Sequence, residues 1–151
     1  MNLEKDKYII VEIIPTGFNK QKGDIVELTA LKIDNMKLID HFNYRLNKDK
    51  VLLKEFLEMC NYDNDKFNYL ESTNKILNEF KKWANNLPLI LIDNTYTLNF
   101  LDDFSNQKEL IYPYLDLKFN ENVIQNMIDK YKLEASNYIV DLVYEAIIRN
   151  F

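Results

Sequence analysis

Apolar and polar positions along this chain repeat at two different periods, and the switches between them mark its elements. Residues 8–14 (YIIVEII) form an apolar, β-branched run closed by Pro15-Thr16-Gly17, the pattern of a buried central strand ending in a turn. Residues 24–33 and 37–46 predict two further strands with a tight turn around Asp34-Asn35, giving a three-strand antiparallel meander. Ile76, Leu77, Phe80, Trp83, Ala84 and Leu87 then recur at helical spacing, which predicts a helix over 73–87 with Ser72 or Thr73 as its N-cap. The short apolar stretch 88–92 predicts a buried strand, followed by a helix near 96–104 and a strand near 111–117. Helices are predicted at 121–132 and 137–149, the second with Ile139, Leu142, Val143, Ala146 and Ile147 on one stripe. The expected order is βββαβαβαα.

Composition narrows the class. The 151 residues are 47% hydrophobic, enough to bury a core, and no repeat, low-complexity tract or Pro/Gly linker divides them, so a single domain over 1–151 is expected. The 24 acidic residues outnumber the 19 basic ones, and no basic run offers to neutralise a long stretch of phosphates, so extended nucleic-acid binding is not expected. The single cysteine, Cys60, allows no internal disulfide and no cysteine-based zinc site. With neither a signal peptide nor an apolar span in the sequence, a cytoplasmic location without membrane contact is expected.

Three local motifs stand in order. Glu12-Ile13-Ile14-Pro15-Thr16-Gly17 follows the pattern D-x-E-T-T-G; Ile92 to Leu101 follows H-N-x-x-F-D-x-x-F-L, with Tyr96, Phe100 and Leu101 keeping its apolar positions; and Ser136 to Asp141 follows H-x-A-x-x-D. Through these the chain resembles the 3′-to-5′ exonucleases of the proofreading (DnaQ-like, DEDD) superfamily from about residue 7 to residue 150. The resemblance implies an α/β, ribonuclease H-like exonuclease fold: a mixed five-stranded sheet, the meander plus two parallel strands, flanked by helices.

The resemblance also implies chemistry that the substitutions undo. Members of that superfamily hold two divalent metals ~4 Å apart on four carboxylates. In β geometry residues 8, 10, 12 and 14 share one face, so Glu12 and Ile14 take the first two ligand positions, and Ile14 cannot ligate. Glu12 replaces an aspartate with a longer side chain, Thr97 puts a neutral hydroxyl at the third position, and Ser136 replaces the general-base histidine. Asp141 alone is intact. Glu12 and Asp141 form at most one weak, relic metal site; no cofactor is expected, or magnesium or manganese if the protein is active.

Plainer roles compete at each position. Glu12 also reads as a strand-end carboxylate reaching solvent, Asp141 and Glu145 as a solvated helix face, and Cys60 as a small core residue. His41, the only histidine, reads as structural and remote from every motif. The expected function is therefore an exonuclease-like pseudoenzyme acting through a protein partner, with Tyr112, Tyr114 and the Tyr62–Tyr69 segment as candidate anchors. The alternative is a divergent metal-dependent 3′-5′ exonuclease acting on DNA or RNA through Glu12, Asp141 and Asp93.

Overall fold

The computed structural model describes residues 1–17, 23–45, 73–92, 96–117, 122–134 and 138–151. Calls that fall on Cys60, the Tyr62–Tyr69 segment, Asp93 and Ser136 lie outside the described residues.

Strands β1 (Lys7–Pro15), β2 (Ile25–Asp34) and β3 (Lys37–Arg45) form the expected antiparallel meander. Its tight turn is centred on Asn35 and Met36, both with positive φ, the pattern that matches the twist of the strands it joins. Helix α1 (Thr73–Ala84) leads to β4 (Leu89–Leu91), α2 (Tyr96–Phe100) and β5 (Lys108–Leu110), followed by α3 (Val123–Tyr131) and α4 (Ile139–Asn150). The sheet order is β3-β2-β1-β4-β5, with β4 parallel to both β1 and β5. The architecture is thus a mixed five-stranded α/β sheet with flanking helices.

Because β1 is central, both of its faces are covered. Tyr8 and Ile10 join Val140, Val143 and Ile147 of α4, whereas Ile9, Val11 and Ile13 join Phe80 of α1 and Phe100 of α2. The continuous apolar run in the sequence is the signature of this two-sided burial.

Two predicted elements differ. Residues 111–117 do not form a strand; Tyr112–Leu115 is a 3-10 turn, and the fifth strand lies just before it. Pro113 explains the shift, since it has no N–H to give a sheet and its fixed φ suits the start of a helical turn. The helix expected over 96–104 ends at Phe100, with the Phe104 N–H turning back to the Leu101 carbonyl.

The two glycines sit at the neck between β1 and β2. A Cβ on Gly23 would lie 2.5 Å from the Gly17 backbone nitrogen, so only glycine permits this approach. Thr16 closes the neck: its N–H donates to the Asp24 carbonyl at 2.9 Å, and its hydroxyl accepts from the Asp24 N–H at 2.9 Å. Thr16 and Gly17, the part of the first motif that survives intact, therefore have a backbone task independent of catalysis.

The outer strand, β3, carries a bulge. Lys32 pairs with Asp40 and Ile33 with Leu38, leaving Ile39 as the extra residue. On either side of it the backbone is already engaged. The Leu38 N–H donates to the Tyr144 hydroxyl at 3.1 Å, and the His41 N–H donates to the Asp40 carboxylate at 2.8 Å.

Candidate functional site

The strand register places Glu12 and Ile14 on the face of β1 that also carries Tyr8 and Ile10, as the alternation predicts. Both are half-buried. Directly across on β2, Thr29 faces Glu12 and Glu27 faces Ile14, and across from those on β3 stand Asn43 and Arg45. Opposed residues of an antiparallel pair share a face, so the Ile14 position is flanked by a carboxylate one strand over.

That carboxylate already has a countercharge. Glu27 is buried to 1% exposure, and Arg45 donates from Nε to its Oε1 at 3.1 Å. The Arg45 guanidinium also lies 5.3 Å from the centre of the Tyr138 ring, just ahead of α4. Sequence reasoning missed this pair. A signal existed: Glu27 falls on the same parity of β2 as Leu31 and Ile33, where a charge on a buried face demands a partner.

Thr97 is wholly buried, and its hydroxyl accepts the Ile13 N–H at 3.2 Å. The reason is local topology. The β1–β4 pairing covers only Ile9 to Val11, so among the described residues the β1 backbone beyond it has no strand partner on that side, and α2 supplies a hydroxyl instead. The third motif position thus acts as a clip between helix and strand. Thr73 does the same at the start of α1, accepting the Ile25 N–H at 3.1 Å and donating to Asp24 at 3.2 Å.

Asp141 lies in the first turn of α4. It borders a cleft of about 260 Å³ together with Leu31, Leu38, His41 and Asn43 of the meander. Tyr138 and Val140 close the cleft from the helix side. His41, expected to stand apart from every motif, is therefore a neighbour of Asp141. The reason is that α4 packs across β2 as well as β1, bringing its first turn over the outer strand. Asp141 is exposed at the rim, yet the cleft walls desolvate its carboxyl enough to push it above the usual carboxylate range. The like charge of Glu145 adds to the rise, and His41 opposes it.

The structure thus places Glu12 and Ile14 half-buried on β1, Thr97 buried beneath the β1 backbone, and Asp141 on the cleft it shares with His41. Among the described residues no three His, Cys, Asp or Glu side chains converge on a point that could hold a metal. No helix among them is long and apolar enough to cross a membrane.

The expected partner anchors also differ from expectation. Tyr112 is 6% exposed, and its hydroxyl donates to the Ile92 carbonyl. Tyr114 is half-buried and donates to Glu109 at 2.7 Å; burial, then the hydrogen bond and charge of Glu109, push its hydroxyl up to about 12. Tyr112 is a core residue because the 3-10 turn rotates it inward, where a strand would have alternated it outward. Among the described residues, the large apolar side chains that reach solvent are Leu38, Ile39, Leu98, Ile148 and Phe151.

The fold defined by this sheet and these helices is that of 3′-exonucleases. A 3′-exonuclease solved in a study of histone mRNA stem-loop recognition superposes with a TM-score of 0.71 over 99% of this chain and 66% of its own, at 9% identity. Escherichia coli exonuclease I, solved with a dT13 oligonucleotide, gives a TM-score of 0.66 over 97% of this chain and 40% of its own, at 8% identity. In sequence, the PolC-type DNA polymerase III of Staphylococcus epidermidis is 25% identical over 101 residues, or 67% of this chain. This chain spans only 7% of that polymerase. No family model matches the chain.

Proposed function

We propose that this protein is an exonuclease-like pseudoenzyme: it keeps the exonuclease scaffold, does not carry out two-metal phosphodiester cleavage, and acts through a protein partner. The observation that carries this reading is the engagement of Thr97. Two-metal catalysis needs a charged oxygen at that position to help hold two dications together. Here a neutral hydroxyl, fully buried, is spent on the Ile13 N–H. The apolar Ile14 and the Arg45 countercharge on Glu27 support the same reading, because a resident guanidinium beside the old ligand face disfavours a divalent cation there.

A second reading has one observation in its favour. His41 and Asp141 border the same cleft, and a histidine beside a carboxylate is a usual general-base arrangement. On that reading the protein is a divergent metal-dependent 3′-5′ exonuclease acting on DNA or RNA.

Incubation of the purified protein with 3′-recessed, single-stranded and RNA substrates, with magnesium or manganese, separates the two. The proposal expects no shortening above a no-enzyme control. Metal-dependent digestion that disappears in Asp141→Ala overturns it, and loss in His41→Ala as well would assign the base.

A further inference from the structure

We propose that the cleft between β3 and the first turn of α4 docks a lysine or arginine side chain of a protein partner. This rests on the pseudoenzyme reading and names the surface it leaves open. The cleft has an apolar interior with an acidic rim. Leu31 and Val140 are buried in it, and Leu38 stays 47% exposed at its edge. Asp141 borders it, and Glu145 follows one turn later on the exposed side of α4. An aliphatic stem ending in a cation fits that distribution: methylenes cover the apolar part while the charged head stays at the rim.

Charge complementarity selects the occupant. Asp141 and Glu145 stand one turn apart on the exposed side of α4, so a cation seated at this rim meets two carboxylates. His41 and Asn43 on β3 face this rim from the sheet side. The protein itself shows the chemistry at the adjoining end, where the Arg45 guanidinium lies over Tyr138 while bonded to Glu27. That end is occupied by the chain's own arginine, whereas Asp141 is exposed among the described residues. A phosphate-bearing ligand meets charge of its own sign at that rim and is repelled.

The test is a titration of the isotope-labelled protein with a capped Ala-Arg-Ala peptide, read from backbone amide shifts, with Ala-citrulline-Ala as the neutral isostere. Expected is a saturable response confined to Leu31, His41, Asn43 and Val140. An exposed ion pair contributes up to ~1 kcal/mol, so the citrulline peptide and the Asp141→Asn protein should each bind about fivefold more weakly. Leu38→Ser should weaken binding of both peptides alike, since it removes contact with the stem and not the charge. Salt on the order of 1 M, where the Debye length is ~3 Å, should erase the arginine preference. Equal binding of the two peptides, no change in Asp141→Asn, or no response at all overturns the proposal. So does a short oligothymidylate that shifts the same amides more strongly, which would give the cleft to nucleic acid. Any of these outcomes leaves the pseudoenzyme reading standing, because that reading fails only on metal-dependent digestion.

Discussion

Removing one oxygen atom from Tyr8 should make the protein more stable, and removing the equivalent atom from Tyr112 should make it less so. Tyr8 is fully buried on β1 against α4, and its hydroxyl has no hydrogen-bond partner among the described residues. A buried, unsatisfied polar group costs ~1–3 kcal/mol, so Tyr8→Phe should gain about 1 kcal/mol at the lower end of that range. Tyr112 is also buried, at 6% exposure, but its hydroxyl donates to the Ile92 carbonyl; Tyr112→Phe loses that bond and should cost about 1 kcal/mol. For a chain of 151 residues each amounts to roughly 2–4 °C in Tm, with opposite signs. Urea unfolding should show shifted midpoints at unchanged slope, since neither variant alters the surface exposed on unfolding. Alkaline pH sharpens the contrast. Burial, and secondarily Tyr144, raise the Tyr8 hydroxyl above its ordinary value, so it stays protonated when folded after the unfolded chain has begun to ionise. The native state then binds more protons than the unfolded one, and stability falls as pH rises above about 10. Tyr8→Phe removes this loss, so its advantage should widen there. If Tyr8→Phe is as destabilising as Tyr112→Phe, the hydroxyl is satisfied by a trapped water and the reasoning is wrong.

Other outcomes follow from the clips and the buried ion pair. Thr97→Val should lose about 1–2 kcal/mol by stranding the Ile13 N–H, while Thr97→Ser keeps most of the stability, as measured by chemical denaturation. Arg45→Ala should lose about 2–3 kcal/mol by removing the countercharge of a carboxylate buried to 1%, with much of it recovered when Glu27→Gln is added. Gly23→Ala should destabilise by at least ~1 kcal/mol, because its methyl meets the Gly17 backbone at 2.5 Å. Millimolar magnesium should move Tm by less than about 1 °C, since a ligand well below its Kd adds only tenths of a kcal/mol; a larger rise abolished by Glu12→Gln would contradict this.

The sheet and its main helices were legible because each carries a strong local period. The apolar β1 run, the stripe of α1 and the stripe of α4 each match one geometry and not the other. The error at 111–117 arose because an apolar stretch with a central proline satisfies a strand template by composition while failing it by hydrogen bonding. At the site, the β1 positions were readable because Glu12 and Ile14 need only a period of two. The hydroxyl clip of Thr97 was not, since the need for it comes from where β4 stops pairing with β1. Nor was the approach of His41 to Asp141, which depends on how α4 lies across the meander and has no counterpart in sequence spacing. The burial of Tyr112 was hidden for the same reason, since it comes with the 3-10 turn that stands where a strand was expected.

The engaged backbone of β3 bears on how molecules of this protein meet one another in a crowded solution. An outer strand normally offers a ladder of free amides and carbonyls, and another chain can add itself there without regard to its own sequence. Around the Ile39 bulge, two of the amides that such a newcomer would need are already held by Tyr144 and Asp40. The exposed Leu38 and Ile39 side chains, which would otherwise invite sheet-to-sheet stacking into fibrils, therefore sit on a margin that resists lengthening. Tyr144→Phe should expose this margin at little cost to the core and raise the tendency to aggregate on storage, making a single phenolic oxygen a guardian of colloidal behaviour.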